Sequence, residues 1–204
     1  MAVSEPLYGK NPAELAALCA ETGLPRFAAR QLARWLYVKH IEDPMLMTDI
    51  PAARRALLAE RFRQVLTPPE RVTESADGTK KYLFRTLEGH YVESAYIPDG
   101  ERATLCVSSQ AGCRMGCRFC ASTQAGRVRD LTAGEIASEI YTAQKDTGER
   151  VSHIVLMGIG EPLHNFDNVM DFLDIISCPE GVNIGMRNIS LSTCGLVPGI
   201  DKLA

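Results

Sequence analysis

The stretch "CVSSQAGCRMGCRFCASTQAG", residues 106–126, decides how the rest of the chain is read. Four cysteines fall within fifteen residues, and three of them, Cys113, Cys117 and Cys120, are spaced C-x3-C-x2-C. Just before the triplet, "RATLCVSS" reads as a strand. The triplet therefore sits on a loop at a strand's C-terminal end, where barrel folds carry their chemistry. Several uses of three thiols compete. Plain buried thiols are poorly served by a loop containing Arg114, Gly116 and Arg118. Structural zinc wants four ligands, yet the nearest histidine is His90 and no second cysteine pair follows at knuckle spacing. Catalytic zinc uses three protein ligands but normally includes histidine or carboxylate, so zinc stays an alternative. Iron–sulfur clusters take thiolates iron by iron. Three thiolates on a four-iron cluster leave one iron open to chelate a small molecule, which accounts for three cysteines rather than four.

Downstream, the pattern alternates. "LTAGEIASEIYTAQKDTG" (131–148) predicts a helix opened by a Thr132/Glu135 capping box. "SHIVLMGIGEP" (152–162) is an apolar run, as a parallel strand buried on both faces would be. "NFDNVMDFLDIIS" (165–177) reads as a helix and "RNISLSTCG" (187–195) as another such strand. Strand, loop, helix, strand, helix, strand from Arg102 onward predicts a parallel α/β sheet or barrel.

Upstream, about the first 65 residues read as helical. "NPAELAALCAETG" (11–23) offers Asn11 as N-cap, Pro12 at the first position and Gly23 as a stop. "PRFAARQLARWLYVKH" (25–40) puts Ala28, Leu32, Trp35 and Leu36 on one face and Arg26, Arg30 and Arg34 on another. "PAARRALLAERFRQVL" (51–66) is a third helix, ended by "TPPE". From Asp77 the period changes to two, and "GTKKYLFRTLEGHYVESAYIP" (78–98) predicts a hairpin turning at Glu88-Gly89.

Composition limits the classes. The chain has 204 residues, 46% hydrophobic and 23% charged, which is ordinary globular composition. A net charge of −3 gives no whole-molecule pull on nucleic acid, so any such surface must be local. No apolar run is long enough for a transmembrane helix, and the start lacks the pattern of a signal peptide. A cytoplasmic, reducing location is expected, where seven cysteines read as metal or catalytic thiols before disulfides.

C-x3-C-x2-C, with Phe119 before its last cysteine, resembles the signature of radical S-adenosylmethionine (SAM) enzymes. The resemblance implies a 4Fe-4S cluster on Cys113, Cys117 and Cys120. Its open iron would bind SAM, and one-electron reduction would yield a 5′-deoxyadenosyl radical. "MGIGEP" looks like the motif that holds the SAM amino group, which implicates Gly160 and Glu161. Ser192, in "LSTCG", ends the next strand and suits a cofactor hydroxyl or carboxylate. Read by itself, Gly-Glu-Pro is also a plain strand-end turn, and Ser192 also suits a local backbone bond.

Longer segments, "ATLCVSSQAGCRMGCRFCASTQAG", "LTAGEI", "GIGEPLHN" and "ISLSTCGLVPGIDKLA", resemble the bacterial radical SAM dual-specificity RNA methyltransferases, with "GLPRFAARQLARWLYVKH" similar to their N-terminal helical domain. That family methylates C2 of an adenosine in large-subunit (23S) rRNA and of one in tRNAs, through a methyl-cysteine. A sister family methylates C8 of the same ribosomal adenine. On this resemblance Cys106 matches the second catalytic cysteine and Glu93 the proton-accepting carboxylate. Without it, Cys106 reads as a buried strand thiol and Glu93 as a solvent-facing strand residue. Arg114, Arg118, Arg127 and Arg129 around the loop, and the Arg26/Arg30/Arg34/Lys39 helix, suit RNA phosphates.

The implied fold is α/β: a helical RNA-binding domain over 1–75, a β-hairpin extension over 76–101, and over 102–204 the first part of a partial (β/α)6 barrel. The barrel is expected to be incomplete at the C-terminus, and the methyl-carrying cysteine has no counterpart here. Expected partners are 23S rRNA, tRNA and an electron donor such as flavodoxin or ferredoxin, with the chain a monomer and no membrane involved. A non-catalytic iron–sulfur or zinc RNA-binding module is the alternative from another class.

Overall fold

The computed structural model describes residues 5–63, 68–86, 88–124 and 126–204. The N-terminal region runs β1 (Glu5–Pro6), α1 (Pro12–Glu21), α2 (Ala28–Tyr37), α3 (Ala52–Arg61) and β2 (Phe62–Arg63). Asn11 closes a reciprocal capping box. Its side chain accepts from the Glu14 N–H at 2.9 Å while its own N–H donates to the Glu14 carboxylate at 2.7 Å. In α2 the face bearing Leu32, Trp35 and Leu36 is buried; Arg30 and Arg34 are exposed on the other side, and Arg26 is exposed in the turn before the helix. The third helix stops earlier than its pattern suggests. At Phe62 the chain becomes extended and pairs in parallel with β1, so a tertiary pairing overrides local helix preference. The rest of that expected helix, residues 64–66, lies outside the described residues.

The remainder runs β3 (Arg71–Glu74), β4 (Lys80–Arg85), β5 (Tyr91–Asp99), β6 (Arg102–Cys106), β7 (Gln110–Gly112), β8 (Arg127–Asp130), α4 (Ala133–Thr147), β9 (His153–Leu156), α5 (Phe166–Ser177), β10 (Ile189–Leu191) and α6 (Val197–Leu203). Six strands form one mixed sheet in the order β10-β9-β6-β5-β4-β3. β6, β9 and β10 are parallel, as expected for the beginning of a β/α barrel. The predicted hairpin, β4–β5, continues the same sheet antiparallel to β6, and β3 adds an edge strand. All four residues of β3 are exposed, so it shows no alternation and is defined by its register with β4 alone.

The sheet has one packed face. Tyr82, Phe84, Val92, Tyr96, Leu105, Ile154 and Leu156 are buried in a core shared with α4, α5 and the N-terminal helices. The Tyr82 hydroxyl reaches across it to the Asp146 carboxylate on α4 at 2.9 Å. Alternate residues on the other face are only half-buried. β9 is therefore not covered on both sides as its apolar run suggests: Ile154 and Leu156 are buried, while His153 and Val155 are part-exposed. The N-terminal helices dock onto the α5 side. Asn11 donates to Asp171 at 2.8 Å, and the Tyr37 hydroxyl donates to the Lys10 carbonyl at 2.6 Å.

Candidate active site

The cysteine loop hangs from a small antiparallel ladder, β7 with β8, that carries a bulge at Ala111/Gly112. Cys113 follows β7 directly and is buried; Cys117 and Cys120 are part-exposed. A turn joins the latter two, the Cys120 N–H donating to the Cys117 carbonyl at 3.0 Å. All three are free thiols. Phe119 is 95% exposed, so it contributes nothing to packing here. Among the described residues no three histidine, cysteine or carboxylate side chains converge to hold one metal ion. An iron–sulfur cluster takes its thiolates on separate irons and does not require that convergence, so three thiols on one loop fit such a group.

Next to this ladder lies the end of β9. The segment after β6 and the Gly158–Gly160 loop are joined atom by atom. Ser108 Oγ accepts from the Ile159 N–H at 2.9 Å and donates to the Glu93 carbonyl at 2.6 Å. The Ser109 and Gln110 N–H groups donate to the Ile159 carbonyl at 2.9 and 3.1 Å. A Cβ on Gly160 would lie 2.7 Å from Ser109 Oγ and 2.8 Å from the Gln110 nitrogen, and its φ is +114°. Glycine is thus required there for contact between two strand ends.

Glu161 is 3% exposed, and the protein itself engages both carboxylate oxygens. Oε1 accepts from the Leu163 N–H at 2.9 Å and Oε2 from the Cys194 N–H at 2.8 Å. Burial alone would raise its pKa, but hydrogen bonds from Cys194, Leu163 and Thr193 outweigh it and hold the carboxyl below its usual range. Glu161 therefore ties the end of β9 to the end of β10. Ser192 sits exposed at that second end, its N–H donating to the Leu156 carbonyl at 3.4 Å.

Glu93 and Cys106 share the open face of the sheet. Cys106 stands opposite Ala95, two residues from Glu93 on the same strand face. Glu93 pairs with Lys81 at 3.0 Å. Burial pushes the Cys106 thiol up, a hydrogen bond from the Met157 backbone partly offsets this, and the Glu139 carboxyl adds to it. The arginines expected to ring the loop divide. Arg127 pairs with Asp130, and Arg129 with Glu88 and Glu135, each at 2.6 Å. Arg118 is exposed, and Arg114 meets His164.

The structure thus brings the three cysteines, Gly160, Glu161 and Ser192 to one edge of the sheet, with Cys106 and Glu93 on its open face. Sequence reasoning missed the residues that join them: Gln110, Asp130, Asn165 and Glu139. Asn165 donates to the Ser109 and Leu131 carbonyls at 2.8 and 2.7 Å. Their one trace in the sequence is the polar run Ser108-Ser109-Gln110 directly after an apolar strand, every member of it buried.

Comparison with known proteins agrees with this geometry. Residues 107–204 match the Radical SAM superfamily, and residues 6–63 match the ribosomal RNA large subunit methyltransferase N-terminal domain. The first match takes in the cysteine loop with β9 and β10, and the second the helical region; β3 to β6 lie between them. The chain belongs to the RlmN-type radical SAM RNA methyltransferase family. It is 47% identical, over 98% of its own length and 55% of the other's, to the "Probable dual-specificity RNA methyltransferase RlmN" of Symbiobacterium thermophilum. It is 46% identical to the "Dual-specificity RNA methyltransferase RlmN" of Syntrophotalea carbinolica, over 93% of this chain and 51% of that protein. A radical SAM methyltransferase from Sphaerobacter thermophilus superposes with a TM-score of 0.86 at 41% identity, covering 98% of this chain and 60% of that one. The chain spans about half the length of the curated RlmN relatives it matches. No helix among the described residues is long and apolar enough to cross a membrane.

Proposed function

We propose that this chain carries the cluster- and SAM-binding part of a methyltransferase acting on C2 of adenosine in 23S rRNA and tRNAs. The observation that carries the reading is the meeting of three free thiols, the Gly160-Glu161 loop and Ser192 at the C-terminal edge of a parallel sheet. A helical region matching an RNA methyltransferase N-terminal domain lies in the same chain.

C2 of adenine is electrophilic and its hydrogen is not acidic, so a polar displacement from SAM would lack a nucleophile. The 4Fe-4S cluster and SAM, when bound, would supply one-electron radical chemistry, which avoids this requirement. The protein holds the parts in place. Cys113, Cys117 and Cys120 are the ligands. Gly160 and Ser192 line the SAM side, and Glu161 shapes it by fixing both strand ends. Cys106, on the open face beside Glu93, is assigned to resolving the covalent RNA adduct. Glu93, held by Lys81 on the same face, is assigned to accepting the C2 proton from the covalent adduct, where that carbon is no longer aromatic. Arg30 pairs with Glu180 at 3.1 Å and Lys39 lies over the Trp35 ring, which leaves Arg34 on α2 and Arg26 just before it without an ion pair among the described residues. Arg26 and Arg34 are assigned to RNA phosphates. The protein is assigned to the cytoplasm as a monomer reduced by a flavodoxin or ferredoxin.

The test joins residues 1–204 to the C-terminal part of the Symbiobacterium thermophilum relative and expresses the fusion in cells lacking the endogenous enzyme. Mass spectrometry of their RNA is expected to show 2-methyladenosine. Its absence from an iron-loaded, folded fusion would overturn the reading, and 8-methyladenosine would move it to the sister family.

A further inference from the structure

We infer that Gln110 is a positioning residue that sets the cysteine loop against the β9 strand end, and so fixes where SAM lies relative to the cluster. The inference rests on the function proposed above. Gln110 is 1% exposed, and each polar atom of its side chain is in use. Oε1 accepts from the Glu161 N–H at 2.9 Å. Nε2 donates to Asp130 Oδ1 at 2.6 Å and reaches His164 Nδ1 at 3.2 Å. Its backbone N–H donates to the Ile159 carbonyl.

These partners belong to three different parts of the site. Asp130 closes the ladder from which the cysteine loop hangs, and it is fixed there by Arg127. Glu161 and Ile159 form the strand end assigned to SAM. His164 lies beyond that strand end and meets Arg114, the residue after Cys113. One amide thereby joins the root of the cluster loop, the SAM loop and the loop's rim.

The chemistry of the position selects glutamine. The side chain must present an acceptor to Glu161 and a donor to Asp130, and an amide supplies one of each. Glutamate would set a carboxylate against Asp130, leucine would leave Asp130 with Arg127 alone and the Glu161 N–H without its acceptor, and asparagine is a methylene short. Ligand geometry at a reacting centre tolerates little error: a misplacement of about 1 Å can cost on the order of a hundredfold. A joint of this kind is how a site built on two loops stays within tolerance.

The test uses residues 1–204, reconstituted anaerobically with iron and sulfide. SAM is titrated while the electron paramagnetic resonance signal of the dithionite-reduced cluster is followed. Gln110→Leu is expected to hold as much iron as the unsubstituted chain, because the three thiols are untouched. The SAM concentration giving half the spectral change should rise about tenfold or more, the size of one or two buried hydrogen bonds. His164→Leu cuts only the outer branch and should raise it by about threefold, a fraction of that cost. The double variant Gln110→Glu/Asp130→Asn reverses the donor and acceptor across the joint and should restore SAM binding to within about threefold of the original, since the bond is remade. A Gln110→Leu chain with unaltered SAM response would overturn the inference, as would loss of iron in step with loss of response. If Gln110→Leu does not fold, a double variant whose half-change SAM concentration stays about tenfold or more above the original overturns it instead. An unsubstituted chain that takes up no iron would sink the underlying function along with it.

Discussion

The two faces of the six-stranded sheet are built from the same strands, alternate residue by alternate residue, and they are used in opposite ways. On the packed face Tyr82, Leu105, Ile154 and Leu156 are buried against α4, α5 and the helical region. On the open face Lys81, Glu93, Cys106 and Val155 remain part-exposed and mostly polar, and the cysteine loop rises from the same edge. Leu105 and Cys106 are neighbours in sequence and lie on opposite sides. Burial of one face gives the strands their register and leaves the other face free for reactive groups. The buried polar residues Ser108, Gln110 and Glu139 serve the joint at the strand ends, whereas Ser94 lies in the packed face itself, opposite Tyr82.

That contrast breaks if the two neighbours behave alike. Leu105→Ala empties a fully buried site and should destabilise the chain by about 2–5 kcal/mol, measured by denaturant unfolding. Cys106→Ala should cost about 1 kcal/mol or less and leave iron uptake unchanged, since it stands outside the triplet. Comparable losses from both would mean that the open face is structural too.

A second substitution probes the edge where the faces meet. Glu161→Ala removes a buried acceptor of two backbone N–H groups, a charge-assisted pair of bonds. It should lower stability by about 1.5–3 kcal/mol and, by letting the two strand ends shift, weaken SAM by about tenfold or more, with the cluster's absorption retained. Unaltered SAM affinity would make this strand end a turn and nothing more.

The smallest effect is a pH dependence. Glu139 is 1% exposed on α4. One oxygen accepts from the Ser108 N–H at 3.0 Å and the other has no partner. Burial raises its pKa well above 4.5, against the hydrogen bond from Ser108. Between the unfolded and folded values the native chain keeps a proton that the unfolded chain has released. This group's contribution is therefore complete below about 4.5 and falls as pH rises, by up to about 1.4 kcal/mol per pH unit. His40 slopes the other way, because burial and Lys145 lower it from 6.5 to about 4. His40 is common to wild type and Glu139→Gln, so it drops out of their difference. As pH rises from about 4.5, wild type should lose stability relative to Glu139→Gln in urea unfolding, and parallel curves would show that the carboxyl is ionised in the fold.

These contrasts also explain what was legible in the sequence. α1 and α4 were, because Asn11/Glu14 and Thr132/Glu135 form local capping boxes that need no tertiary partner. The cysteine triplet was, because its spacing is itself the signal. β3 was not, since four exposed residues carry no alternation. The β7–β8 ladder was not either: its strands have three and four residues and pair across the whole cysteine loop. Gln110 was invisible for a related reason. Its side-chain partners lie 20, 51 and 54 residues away, and a glutamine has no spacing signature of its own. The apolar run of β9 suggested cover on both faces because hydrophobicity does not report which side a neighbour will occupy.

The central claim is that the open side of the molecule is built around a four-iron cluster with three protein ligands. The most direct test is metal analysis and Mössbauer spectroscopy of the anaerobically reconstituted chain, beside Cys113→Ala, Cys117→Ala and Cys120→Ala. The account predicts about four irons per chain in the unsubstituted protein, in keeping with the cluster type. One iron should become spectroscopically distinct on adding SAM, and each alanine variant should lose the cluster. A single zinc per chain, or full iron retention in Cys117→Ala, would contradict it.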